Sequence, residues 1–161
     1  MKFTPLDAAF VARIRAGGPD ANGLPAETAV STGGGTPCRS CLHDVPEGEE
    51  FLICAARPFP TLQPYAETGP IFLCKAECVP WQDDGVPPIM TTSPDYLIKG
   101  YTADHRIRYG TGQVVKAGDL AREVQIRLSD PLLAYVDVRS ARNNCFQSRV
   151  VRLGDKPPDI R

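Results

Sequence analysis

The sequence has no basic excess: 18 Lys and Arg stand against 19 Asp and Glu, for a net charge of -1 and a pI near 6.1. Without surplus positive charge to neutralise phosphates, a nucleic-acid-binding role is not expected. Long apolar runs are also missing. The N-terminus, MKFTPLDAAFVARIRAGG, has no uninterrupted apolar stretch of the signal-peptide kind, and no window reaches the length of a membrane span. These features predict a soluble, cytoplasmic protein with no membrane association. Histidine is scarce, with two in 161 residues, which limits the candidates for a general base. No internal repeat is found.

Apolar residues make up 42% of the chain and charged ones only 23%, a globular composition at the size of one compact domain, here 1–161. Sixteen prolines and fourteen glycines cut the chain often and predict short elements joined by irregular backbone. Thr4 as N-cap, Pro5 at the first helical position and Asp7 in the first turn predict a helix in which Leu6, Phe10 and Ile14 share a face. Gly17-Gly18-Pro19 ends it. Residues 18–37 lack apolar periodicity and read as an extended surface loop.

Phe51 to Phe59 is a nearly continuous apolar run that predicts a strand buried on both faces, and Ile71 to Cys74 a second one. Asp95 to Tyr101 and Arg106 to Val115, separated by TADH, predict a β-hairpin. Asp119 is placed to cap a helix whose Leu120, Val124 and Leu128 align, ended by Asp130-Pro131. AYVDV and CFQSRVVRL add strands, and the tail 154–161 is expected to fray. This order predicts an α+β fold: a compact single domain with a mostly antiparallel or mixed sheet, two helices and a cysteine-rich metal-binding segment.

Six cysteines give the strongest chemical signal. Cys38-x2-Cys41 puts two thiols on one turn, and Cys74-x3-Cys78 can do the same from a separate segment. A reducing compartment disfavours disulfides, and two short-spaced thiol pairs are a usual structural solution for zinc. The reading favours Cys38, Cys41, Cys74 and Cys78 as one zinc site over thiol packing, reactive thiols or disulfides. Iron is the main metal alternative, and a redox switch at Cys38 and Cys41 requires metal-free, accessible thiols. His43 reads as an exposed turn histidine before it reads as a ligand or a hydrogen-bond partner of one. Cys54, inside an apolar run, reads as core. Cys145 is flanked by Arg139, Arg142 and Arg149, which would favour its thiolate, but it also begins an apolar strand.

A second set of residues suits ligand binding. Tyr65, Glu67 and Thr68 in YAETGP, Tyr109 in RYGTG, and Arg139, Ser140 and Arg142 in VRSAR supply donors and arginine forks that match carboxylate or phosphate. The competing reading pairs these arginines with Glu67 and Asp137 as ion pairs. Two functions follow: a zinc-stabilised module binding a small anionic ligand or a protein partner through the arginine-rich loop, or a metal- or cysteine-dependent enzyme acting on an anionic small molecule. Four thiols on one metal argue against the enzyme, because a catalytic zinc keeps one position for water. Glu67 is a better base candidate than His105, which falls in the exposed TADH turn.

PCRSCL, YAETGPIFLC, IRYGTG and AYVDVRSARNNCFQSR, spread from Pro37 to Leu153, resemble the bacterial domain of unknown function 1203 family. The resemblance implies a C-x2-C pair and, near GPIF, a histidine ahead of a further cysteine. Cys74 stands at that histidine position, which exchanges one zinc ligand type for another. The resemblance thus implies that all four cysteines form one site. It implies no activity.

Overall fold

A computed structural model describes residues 1–158. In chain order the elements are β1 (Lys2–Thr4), α1 (Ala8–Arg15), β2 (Glu27–Val30), β3 (Glu50–Ala56), β4 (Gly69–Cys74), β5 (Asp95–Tyr101), β6 (Gln113–Lys116), α2 (Leu120–Leu128), β7 (Tyr135–Ser140) and β8 (Phe146–Val151), with short 3-10 turns at Pro88–Met90 and Ala117–Asp119. The α+β class with two helices is as expected. The strands, however, divide between two sheets, one ordered β1-β8-β7-β5-β6 and the other β2-β3-β4, and all their pairings are antiparallel.

Helix α1 starts later than the Thr4 reading expects. Thr4 lies in β1 opposite Arg149, and its hydroxyl donates to the Arg149 carbonyl at 2.8 Å. Edge pairing therefore claims that residue, and Asp7 becomes the cap, its carboxylate accepting from Phe10 N at 2.9 Å. The face carrying Leu6, Phe10, Val11 and Ile14 packs with Phe51, Leu52, Ile71 and Leu73 of the three-stranded sheet. Within the segment read as extended loop, 18–37, β2 pairs along β3 from Glu27↔Ile53 to Val30↔Glu50. Its mostly exposed side chains leave no apolar pattern to read.

In the five-stranded sheet, alternation sends Val136, Val138, Val150 and Ile98 to one face, where they pack with Leu120, Val124 and Leu128 of α2. Asp119 sits at the N-cap position of α2 but makes no side-chain cap; its carboxylate meets Arg122 at 3.1 Å instead. Of the expected second hairpin strand, only Gln113–Lys116 pairs with β5. Ahead of it the chain loops back on Thr111, whose hydroxyl accepts from Gly100 N at 3.0 Å and donates to the Arg108 carbonyl at 2.6 Å. Gly110, at φ +87, permits that turn.

The opposite face of this sheet is polar and yet buried. Register places Tyr101 opposite Tyr135, Lys99 opposite Asp137, and Asp137 opposite Arg149. The connection between β3 and β4 covers them: Arg149 Nη2 donates to the Pro58 carbonyl at 2.6 Å, and the guanidinium lies 3.7 Å from the Tyr135 ring centre. Part of the tail expected to fray, from Asp159 on, lies outside the described residues.

Candidate metal centre and anion pocket

The turn carrying the first thiol pair is built by its backbone. Cys38 N donates to the His43 carbonyl at 2.9 Å, Leu42 N donates to the Cys38 carbonyl at 3.0 Å, and Leu42 adopts a left-handed φ of 55 that closes the loop. Arg39 N donates to the Phe72 carbonyl at 3.0 Å and docks the turn on β4. That contact brings the pair to Cys74, at the end of β4, and to Cys78 four residues on.

The four sulfurs lie within 4.8 Å of one another. Cys38 Sγ and Cys78 Sγ are 4.0 Å apart, and Cys41 Sγ and Cys74 Sγ 3.9 Å. A tetrahedron with metal–sulfur bonds of ~2.3 Å has edges of about 3.8 Å. The same spacing is far beyond the ~2.05 Å of a disulfide, and all six cysteines are free. The thiol set therefore fits a thiophilic cation with four-coordinate geometry.

The surroundings favour anionic sulfur. Ser40 N and Cys74 N point to Cys38 Sγ at 3.4 and 3.3 Å. Arg15, at the end of α1, donates from Nη2 to Cys78 Sγ and from Nε to the Cys74 carbonyl, both at 3.0 Å. Among themselves the thiols cannot all ionise. Hydrogen bonds from Cys38 and Cys74 lower the Cys41 thiol to about 4, whereas Cys38 and burial push Cys78 up to about 12. A dication held by Cys38, Cys41, Cys74 and Cys78 would remove that conflict by favouring the thiolate at all four. His43 is outside the cluster; its Nδ1 donates to the Cys41 carbonyl at 2.8 Å.

The seven residues expected to bind a ligand do not gather in one place. Arg139, Glu67 and Thr68 line a cavity of ≈ 360 Å³ together with Asn143, Asn144 and Cys145. Arg139 Nη1 donates to the Asn144 carbonyl at 3.0 Å, and Nη2 lies 2.8 Å from Glu67 Oε2. That ion pair falls outside hydrogen-bond geometry, and Nε has no hydrogen-bond partner among the described residues. Glu67 Oε1 is held by Lys99 at 3.1 Å. Ser140 and Arg142 line a neighbouring cavity, where Arg142 is exposed and the Ser140 hydroxyl accepts from Cys145 N at 3.1 Å. Tyr65 and Tyr109 meet each other, hydroxyl to hydroxyl, at 3.1 Å.

The family model described as "Protein of unknown function (DUF1203)" matches residues 35–152. The chain belongs to that family. Comparisons with curated proteins and with solved structures give no match. The span matching the DUF1203 model contains all four clustered cysteines and the Arg139 cavity, but not Arg15 or α1.

Sequence reasoning missed three of these groups. Arg15 braces cysteines 59 and 63 residues away in the chain, Lys99 lies inside an apolar strand, and Arg149, read only as a neighbour of Cys145, is wholly buried against Asp137. None of these pairings leaves a local pattern. Cys54 is buried, and burial pushes its thiol up to about 12, as suits core packing. Cys145 Sγ is directed at the Asn143 carbonyl, 3.7 Å away. Arg149, one of its three flanking arginines, is committed to Asp137 instead, with bonds of 2.7 and 3.0 Å.

Proposed function

We propose that Cys38, Cys41, Cys74 and Cys78 hold one zinc ion in a structural role, and that the domain stabilised in this way binds a small anionic ligand beside Arg139. The observation that carries the first part is the clustering of four sulfurs at tetrahedral spacing. Zinc with four thiolates has no position left for water, so its contribution is a cross-link between the turn and the end of β4. Four thiolates around a dication leave about two units of negative charge, and Arg15 offsets part of it. Six free thiols suit a reducing compartment, in keeping with a cytoplasmic location.

The second part rests on Arg139, buried to 4% side-chain exposure at a cavity with two of its nitrogens undirected. Glu67 meets only Nη2 of this edge, and Nε has no acceptor, so a buried guanidinium used in this way is costly unless a further acceptor meets it. Elemental analysis of protein purified without added metal tests the zinc reading: about one zinc per chain supports it, and stoichiometric iron or no metal contradicts it. A thermal-shift screen with carboxylates, phosphate and sulfate tests the anion reading, because a ligand that binds only the folded state raises Tm. No shift with any of them favours a protein partner instead.

A further inference from the structure

The Arg139 cavity has a charge balance that narrows its ligand. Nε and Nη2 form one edge of the guanidinium, buried in this structure, and its two donors have the geometry that a carboxylate or phosphate takes side-on. Glu67 does not fill that edge: Oε2 approaches only Nη2, off axis, while Oε1 stays with Lys99. Glu67 Oε1 is held by Lys99 and Oε2 lies against Nη2, so the side chain must leave Nη2 to admit a ligand to the whole edge. Arg139, Lys99 and Glu67 together leave one uncompensated positive charge. Beyond them on this sheet face, Arg149 and Asp137 neutralise each other at 2.7 Å.

One negative charge completes this set. A phosphate dianion would exceed it and would press its additional oxygens against the Glu67 carboxylate. The rest of the lining is mixed: Ala56, Pro58, Pro70 and Phe146 supply apolar surface, and Thr68, Asn143 and Asn144 supply polar groups. Such a lining suits a ligand with a hydrocarbon body and one charged end.

We propose that the cavity takes a small organic monocarboxylate, its two oxygens on the Nε/Nη2 edge of Arg139 and its apolar body against Pro58, Pro70 and Phe146. This rests on the anion reading above and specifies the ligand class. Glu67 acts as an internal competitor. When the ligand carboxylate takes Nη2, the Glu67 side chain shifts wholly to Lys99.

The test uses the zinc-loaded full chain and calorimetric titration with butyrate, benzoate, inorganic phosphate and sulfate, each at two salt concentrations. Butyrate or benzoate is expected to bind at least ~10-fold more tightly than either inorganic anion. Arg139→Lys keeps the charge but loses the two-donor edge, and should weaken carboxylate binding ~10-fold or more. Glu67→Gln removes the competitor and should tighten it about threefold or more. Should Arg139→Lys fail to fold, the wild type supplies a second readout: saturating butyrate slows iodoacetamide alkylation of Cys145, which lines the same cavity. Phosphate or sulfate binding without carboxylate binding overturns the monocarboxylate and leaves the anion reading standing. Binding of no anion overturns both. Weaker carboxylate binding in Glu67→Gln, or unprotected Cys145 at saturating butyrate, places the ligand elsewhere and overturns the seat described.

Discussion

Arg15 Nη2 donates to Cys78 Sγ at 3.0 Å while Nε of the same guanidinium donates to the Cys74 carbonyl at 3.0 Å, so one side chain from α1 braces both members of the second thiol pair. Groups that orient ligands and offset their charge commonly contribute ~10–100-fold to metal affinity. Arg15→Ala should lower zinc affinity about tenfold, measured by competition with a chromophoric chelator. Arg15→Lys should recover only part, since a single ammonium cannot span both acceptors. Unchanged affinity in Arg15→Ala would show that α1 is no part of the metal site.

Cys38→Ser and Cys54→Ala separate metal ligation from packing. Cys38 is fully buried and its sulfur lies 4.0 Å from that of Cys78, so its loss should abolish stoichiometric zinc. Losing ~3 kcal/mol or more of metal-coupled stability should lower Tm by roughly 6–12 °C or more at this chain length. Cys54→Ala should keep the zinc and cost about 1 kcal/mol or less, the scale of a small cavity. Metal analysis with thermal melts of both variants checks this.

The pair Asp137–Arg149 is at 0% side-chain exposure on both sides. Asp137→Asn leaves the guanidinium buried without its counter-charge and should destabilise the protein by ~3–5 kcal/mol in urea unfolding. A loss under about 1 kcal/mol would mean that the Pro58 carbonyl and the Tyr135 ring suffice for Arg149.

How much of this was legible beforehand follows from how local each signal is. Asp95 to Tyr101 and the apolar run from Phe51 mark β5 and β3 because their burial is written into consecutive residues. Cys38 and Cys41 mark a candidate metal turn through spacing alone, and the structure brings Cys74 and Cys78 to it. The division into two sheets was not legible, since it depends on which distant strands pair, as when β1 joins β8 across the whole chain. Nor was β2, whose exposed side chains carry no pattern. At the second site the sequence singled out Arg139 and Glu67 both as ligand groups and as an ion pair. Only the geometry shows them in contact at 2.8 Å with the guanidinium edge incompletely used.

His105 gives a pH dependence. Burial, with Arg149 nearby, lowers its pKa from 6.5, and its Nδ1 lies 3.0 Å from the Tyr135 hydroxyl. The folded state therefore binds the His105 proton less readily than the unfolded state does. Its contribution to stability is present above about pH 6.5 and is lost as pH falls through the lowered folded-state value. His105→Asn, which tolerates the left-handed φ of 63 there, should flatten the stability loss between about pH 7 and pH 5. An equally steep loss in the variant would assign it to other groups.

X-ray absorption at the zinc edge, on protein purified without added metal, tests the metal centre most directly. Four sulfur scatterers at ~2.3 Å and about one zinc per chain are the result expected from the spacing of Cys38, Cys41, Cys74 and Cys78. A first shell containing nitrogen or oxygen, or a fully folded protein holding no metal, would contradict it.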